Sequence, residues 1–128
     1  MKISCPSLWK DMAIAHADDA AVLEIKNRIA TFSKDDWKNM AAEAIIVTER
    51  LAELVKYNVP ADSSLAFSVF MEFKEHFDKW FYEMNKEGFS IFAMLVRFDK
   101  NSNNYFNQFE PGLGNYMFHL ININSSKI

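Results

Sequence analysis

Residues 63–82, SSLAFSVFMEFKEHFDKWFY, contain the pattern that decides the fold. Apolar side chains recur in this stretch every three or four residues, which is the spacing of one face of an α-helix. That face consists of Ala66, Val69, Phe70, Phe73, His76, Phe77, Trp80 and Phe81. Ser63 or Asp62 can cap the helix by accepting its first backbone N–H groups. Phe67 and Met71 widen the apolar face, so we expect this helix to be central and to contact neighbours on more than one side.

The preceding segment predicts a second long helix. Ser33 and Asp36 have the spacing of a capping box, which marks a helix start. Apolar or small residues then continue at helical spacing at Trp37, Met40, Ala41, Ala44, Thr48, Leu51, Ala52 and Val55. Pro60 disfavours helical backbone at the residue before it, so the helix is expected to end near Asn58.

Shorter patterns lie on both sides of these two helices. Asp18 and Asp19 can cap a helix whose apolar residues are Val22, Ile25 and Ile29, with Leu23 as a further candidate. The apolar run at residues 88–96 fits either a buried helix or a buried strand, and its helical surroundings favour the helix. An asparagine-rich turn at residues 101–104 is followed by Tyr105, Phe106 and Phe109, which suggest a short helix.

A last helix is predicted from Pro111, which suits the first position of a helix. Its apolar residues are Leu113, Tyr116, Met117, Leu120 and Ile121, and the polar end of the chain, residues 124–128, is expected to fray. The predicted fold is therefore all-α, a single bundle of five to six helices with an aromatic cleft.

Composition supports one helical domain. The chain has 128 residues, 50% of them apolar and 15% aromatic, but only three glycines and three prolines. That length suffices for a core, while so few glycines disfavour turn-dense β folds and glycine-rich nucleotide loops. The single cysteine, Cys5, excludes an internal disulfide and is interpreted as a bystander thiol.

Charge and hydropathy exclude two classes of partner. The balance of 14 basic and 17 acidic residues, net −3, lacks the basic excess typical of nucleic-acid binding. The longest nearly uncharged apolar stretch, residues 88–96, is about half of a membrane span. We therefore expect a soluble, cytoplasmic protein with neither nucleic acid nor membrane as a direct partner.

No catalytic or metal-binding motif is present in the sequence. His16, His76 and His119 lie far apart, and one cysteine cannot supply a zinc cluster. We therefore predict no enzyme activity, no metal and no cofactor. His76 stands out because it lies on an apolar face, where it is either a hydrogen-bonded core residue or part of a ligand pocket.

The aromatic residues allow the same two interpretations. At helical spacing such residues commonly form a core, but their concentration between Phe67 and Phe92 is also typical of a pocket for an apolar ligand. The predicted lining of that pocket is His76, Trp80, Phe81, Tyr82, Met84, Phe89, Phe92, Tyr105 and Phe106.

Five groups of residues resemble one known family in their order and spacing. They are TFSKDDW at residues 31–37, NVPADS at 58–63, His76 followed by Trp80, Phe81 and Tyr82, the pair Tyr105 and Phe106, and PGL at 111–113 with Tyr116. Together they resemble the TipAS antibiotic-recognition domain, the ligand-binding part of MerR-type drug-sensing transcriptional activators. The predicted organisation is a leader with a possible short helix over residues 1–30, a TipAS-like domain over 31–123 and a frayed tail over 124–128.

The resemblance implies a globin-like helical domain that binds a thiopeptide antibiotic, or another bulky hydrophobic drug, in an aromatic cleft. In that family the domain occurs fused to a DNA-binding half or as a separate product that sequesters the drug, and here it is expected to stand alone. Thiopeptide-trapping members carry a cysteine at the position that falls on Met84, which implies non-covalent binding in this chain. Gly88, Phe89 and residues 91–93 also depart from the family's pattern, which implies a reshaped pocket.

Two alternatives remain open from the sequence. The aromatic surface could be closed by a partner, either a regulator subunit or a second copy of the chain that buries Phe89 and Phe92. A haem-binding or enzymatic role would use His76.

Overall fold

The computed structural model describes residues 19–128, which form six α-helices and a short 3-10 helix. The helices are α1 (Asp19–Ala30), α2 (Lys34–Lys56), α3 (Ser64–Trp80), α4 (Lys86–Phe98), α5 (Lys100–Asn107) and α6 (Leu113–Asn124), followed by the 3-10 turn Ser125–Lys127. No strand occurs within residues 19–128, so the expected all-α bundle is confirmed. The predicted roles of Cys5, His16 and Asp18 fall on residues outside the described range.

Both predicted caps of the long helices are present. The Ser33 hydroxyl accepts the Asp36 N–H at 3.1 Å, and the Asp36 carboxylate accepts the Ser33 N–H at 2.9 Å, which completes a capping box. Ser63 caps α3 by accepting the N–H of Ala66. Helix α2 ends at Lys56, close to the predicted end at Asn58.

Helix α3 contacts neighbours on more than one side, as expected, but α6, which packs against α2, α3, α4 and α5, is the more central helix. Seven residues of the apolar face of α3 are buried: Ala66, Val69, Phe70, Phe73, His76, Phe77 and Trp80. Helix α3 packs against α2 on one side and α6 on another, and the rings of Phe73 and Phe77 each lie 5.3 Å from that of Phe92 in α4. Among the helices of residues 19–128, none combines the length and apolar character needed to cross a bilayer.

The ambiguous run at residues 88–96 is helical. Asn85 caps α4 by accepting the N–H of Gly88 at 2.8 Å. Phe89, Phe92, Ala93 and Val96 are all buried, which is the 3.6-residue period of a helix packed on one face. The cap and this period are features of a helix, so the alternative of a buried strand is excluded.

Two side-chain hydrogen bonds join α4, α5 and α6. The Asn103 side chain donates to the carbonyl of Val96 at 2.7 Å, and the Asn107 side chain accepts the N–H of Gly114 at 2.9 Å. A Cβ at position 114 would lie 2.9 Å from the Val96 carbonyl oxygen, so glycine permits the close approach of α6 to α4.

The turn that the sequence predicts at residues 101–104 is wrong. Its asparagines lie within helix α5, and Asp99 caps that helix.

The predicted start of the last helix at Pro111 is wrong. Helix α6 begins at Leu113, and Gly112 before it has φ 89° and ψ −2°. These are the angles of the third residue of a type II turn, which the hydrogen bond from Leu113 N–H to the Glu110 carbonyl closes at 3.1 Å. Pro111 thus belongs to the turn, because a left-handed residue interrupts the helix after it.

The chain end differs from the frayed tail that the sequence predicts. Asn124 and Ser125 are buried, and the Asn124 side chain donates to the carbonyl of Ala61 at 2.9 Å and to that of Leu120 at 2.7 Å. This side-chain amide fastens the end of α6 to the loop before α3.

Candidate functional site

The nine predicted site residues lie together in the interior of the bundle. Their exposed fractions range from 0% to 9%, for His76, Trp80, Phe81, Tyr82, Met84, Phe89, Phe92, Tyr105 and Phe106. Through Phe77 of α3, ring contacts link three of them as far as α5: Phe77 to Phe81 at 5.4 Å, Phe77 to Phe92 at 5.3 Å and Phe92 to Phe106 at 6.3 Å between centroids. We call these nine residues, together with Phe77, the aromatic cluster.

The alternative in which a second copy of the chain buries Phe89 and Phe92 is wrong. Phe89 and Phe92 have no exposed surface, because both pack inside the aromatic cluster. A second copy of the chain therefore cannot bury them. The exposed apolar residues of α4 are Ile91, Met94 and Phe98, on the opposite face of the helix.

Glu43 of α2 organises the polar edge of the aromatic cluster. Its Oε1 atom lies 2.9 Å from His76 Nδ1 and accepts the indole N–H of Trp80 at 3.0 Å. Its Oε2 atom accepts from Lys79 Nζ at 3.0 Å. Lys79 Nζ also lies 4.8 Å from the centre of the Trp80 ring. Sequence reasoning missed Glu43, whereas it placed His76 and Trp80 on the apolar face.

Burial and hydrogen bonding set the charges of this group. Burial raises the pKa of the Glu43 carboxyl, but the hydrogen bonds from His76, Lys79 and Trp80 together outweigh it, and the pKa is lowered overall. Burial lowers the pKa of His76, only partly offset by its bond to Glu43. A carboxylate can only accept, so Nδ1 carries the proton that faces Glu43 and the neutral ring presents Nε2 as an acceptor.

These pKa shifts predict a loss of stability in acid. The unfolded chain binds a proton at His76 as the pH falls through about 6.5, whereas the folded chain binds it only at lower pH. The stability present above that pH is therefore lost as the pH falls toward the folded pKa, and the lowered pKa of Glu43 adds a loss below about 4.5. We expect the melting temperature, followed by circular dichroism, to decrease from about pH 7 to about pH 5.

Two histidine variants test whether His76 causes this pH dependence. His76→Gln removes the buried imidazole and should flatten the pH dependence above pH 5, even though its melting temperature at neutral pH is lower. His119→Gln removes an exposed imidazole and should leave the dependence as it is. A His76→Gln protein with the full dependence would show that other groups cause it.

One predicted site residue reaches an opening at the surface. Met84 lines a cavity of about 330 Å³ together with Lys74, Glu83, Asn85, Lys86 and Ile128. The rim is fixed by Asp78, whose carboxylate accepts the Met84 backbone N–H at 3.1 Å and Lys74 Nζ at 2.6 Å. We call this opening the Met84 cavity.

The Met84 cavity adjoins the aromatic cluster at Gly88. A Cβ on Gly88 would lie 2.9 Å from the Tyr82 hydroxyl and 3.2 Å from Met84 Cγ. Tyr82 and Met84 therefore converge on the first turn of α4, where the missing side chain of Gly88 leaves them room.

Two other cavities in the described part of the chain are lined by different residues. One of about 450 Å³ lies along α1, with Leu23 and Arg28 in its lining, and one of about 460 Å³ lies between α2 and residues 109–110. Neither lining contains a residue of the aromatic cluster. Among residues 19–128, no group of three or more His, Cys, Asp or Glu side chains is placed to bind a metal.

Comparison with known proteins agrees with this architecture. Residues 9–124 match the TipAS antibiotic-recognition domain family. The structure of TipAS from Streptomyces lividans in complex with nosiheptide, described as part of a thiopeptide antibiotic multidrug resistance system, is similar with a TM-score of 0.78 and 22% sequence identity. The similarity covers 96% of this chain and 87% of that one. No curated protein matches the chain. Since the family match includes nearly all of the helical bundle, the chain belongs to the TipAS antibiotic-recognition domain family.

Proposed function

We propose that this domain binds a bulky, largely apolar antibiotic of the thiopeptide kind at the Met84 cavity, without forming a covalent bond. The observation that carries the proposal is that Met84 lies at once in this cavity and at the edge of the aromatic cluster. A ligand in this cavity would contact the apolar side chains of Met84 and Ile128. The nosiheptide complex of the similar TipAS structure supports this class of ligand.

The size of the Met84 cavity suggests how such a ligand is held. Its volume of about 330 Å³ is near the lower end of the range for small-molecule pockets, about 300–1,000 Å³. One apolar arm of a larger compound fits this volume, and the remainder lies across the rim. Lys74 and Lys86 on the rim supply N–H donors, which favour ligands with carbonyl or carboxylate groups beside the apolar arm.

The side chain at position 84 supports reversible binding. A methionine thioether has no ionisable S–H group, so it cannot attack a ligand as a cysteine thiolate does. Its polarisable sulfur instead favours contact with aromatic rings.

The biological role that we propose is sensing or sequestration of the drug in the cytoplasm, in transcriptional regulation or resistance. A net charge of −3 supports a role without direct contact to nucleic acid. Any effect on transcription would then require a DNA-binding domain other than this one.

Calorimetric titration with nosiheptide tests the proposal, with thermal unfolding as a second measurement. At a free ligand concentration of about 100 Kd, binding should add about 2.7 kcal/mol to the free energy of unfolding. Glu83→Trp, which places a large side chain on the rim, should weaken binding about tenfold or more. Glu75→Trp is the matched control, because Glu75 is exposed on α3 outside the cavity lining.

Two results would contradict the proposal. If nosiheptide at concentrations up to about 100 µM gave neither a heat of binding nor thermal stabilisation, binding of useful affinity would be excluded. Equal affinities of the Glu83→Trp and Glu75→Trp proteins would exclude the Met84 cavity as the site.

A further inference from the structure

Helix α4 presents an exposed apolar stripe on the face opposite its buried side. The stripe consists of Ile91, Met94 and Phe98, whose exposed fractions are 47%, 52% and 65%. Their spacing of three and four residues places them in one row along the helix. A row of large apolar side chains left in water is typical of an interaction surface.

Contacts of Phe98 and Arg97 with Phe118 extend the stripe onto α6. The Phe98 ring lies 6.2 Å from that of Phe118, and the Arg97 guanidinium lies 5.2 Å from the centre of the Phe98 ring and 4.6 Å from that of Phe118. These contacts hold Phe98 against the protein although it is exposed. Little side-chain freedom is then lost when a partner covers it.

The two ends of the stripe carry opposite charges. Glu87 lies one helical turn before Ile91 on the same face, while Arg97 and Lys100 lie at the other end.

The charged residues next to these, Lys86 and Asp99, are placed elsewhere or engaged in other contacts. Lys86 lines the Met84 cavity, and the Asp99 carboxylate is engaged as the cap of α5, accepting the N–H and hydroxyl of Ser102.

We propose that the stripe binds the same stripe of a second copy of this chain, with the two α4 helices antiparallel about a two-fold axis. In this arrangement Glu87 of each copy lies near Arg97 of the other, and the apolar rows cover one another. A parallel arrangement would place like charges together, which is unfavourable. A symmetric pair formed from one self-complementary patch is also the commonest way for a single protein to assemble.

The stripe is one helix wide, and this limits the strength of the dimer. Such a contact falls in the class below about 1,200 Å² of total buried area, which is characteristic of weak and transient complexes. The dimer should therefore form at high protein concentration and dissociate on dilution. It leaves the Met84 cavity open, because the lining of that cavity includes Lys86 at the amino-terminal end of α4 but no residue of the stripe.

Sedimentation equilibrium of the full chain, from about 10 µM to about 1 mM, tests this proposal. The wild type should shift from monomer to dimer within this range. Met94→Glu should weaken the dimer about tenfold or more, because it places a charge at the centre of the apolar row. Ile46→Glu is the matched control: Ile46 is 61% exposed on α2, away from the stripe, so its dimerisation should equal that of the wild type.

Charge reversal tests the antiparallel arrangement. Glu87→Arg alone and Arg97→Glu alone should each weaken the dimer, since each places like charges in contact at both ends. An equimolar mixture of the two variants should regain the wild-type dimer, because every contact then joins opposite charges. A wild type that stays monomeric throughout, or a Met94→Glu protein that dimerises like the wild type, would overturn the proposal. All these positions are exposed, so circular dichroism should show every variant folded.

Discussion

The Phe77→Ala protein is expected to lose about 4 kcal/mol of unfolding free energy, within the range found for truncating a buried phenylalanine. The ring has no exposed surface, and it contacts Phe73 at 5.3 Å, Phe81 at 5.4 Å and Phe92 at 5.3 Å between centroids. Its removal leaves a void where α3 meets α4. Since a domain of this size has a total stability of about 5–15 kcal/mol, a large share would be lost. Urea unfolding followed by circular dichroism measures it.

Two further substitutions show whether the loss arises from the void. Phe77→Leu keeps an apolar side chain in the same place and should cost about 1.5 kcal/mol. Phe98→Ala removes an equal ring from a site that is 65% exposed, and in dilute solution it should cost less than about 1 kcal/mol. Similar losses for Phe77→Ala and Phe98→Ala would mean that the aromatic cluster is not tightly packed.

Glu43→Ala is expected to destabilise the protein by about 3 kcal/mol, because two buried donors lose their acceptor at once. His76 Nδ1 and the indole N–H of Trp80 both bond to Glu43 Oε1. Loss of the ion pair with Lys79 adds little to this destabilisation, because the Lys79 side chain is 59% exposed. The same unfolding measurement applies.

Glu43→Gln separates hydrogen bonding from charge. The amide oxygen of glutamine can occupy the position of Oε1 and accept from both donors, so this variant should lose only about 1 kcal/mol. Glu49→Ala, an exposed position on the same helix, controls for the general effect of alanine in α2 and should change stability by less than about 0.5 kcal/mol. If Glu43→Gln were as unstable as Glu43→Ala, the carboxylate's charge rather than its acceptor geometry would be decisive.

The helices themselves could be predicted from local signals. Each serine cap needs an N–H only three residues away, as at Ser33 and Ser63, and the apolar period shows which face of each helix is buried. The start of α6 also had a local signal. Pro111 followed by Gly112 is typical of a type II turn, and a helix can begin only after the left-handed glycine.

Glu43 could not be predicted in this way. Its bonds to His76 and Trp80 span 33 and 37 residues, so they depend on which faces of α2 and α3 meet. Helical periodicity places His76 on an apolar face but does not tell which residue lies opposite. The aromatic residues were ambiguous for a related reason, because a packed core and a ligand pocket require the same spacing along a helix. The predicted lining of nine residues remains a prediction, with Met84 at an opening.

The anchored carboxyl end has a practical consequence for handling the protein. Asn124 fastens the end of α6 to Ala61, Lys127 Nζ lies 5.4 Å from the Phe67 ring, and Ile128 lines the Met84 cavity. A purification tag or fluorescent label fused after Ile128 would therefore begin beside the proposed drug entrance. For binding studies, a tag placed there should be cleaved off, or a label attached on the exposed surface of α2 instead.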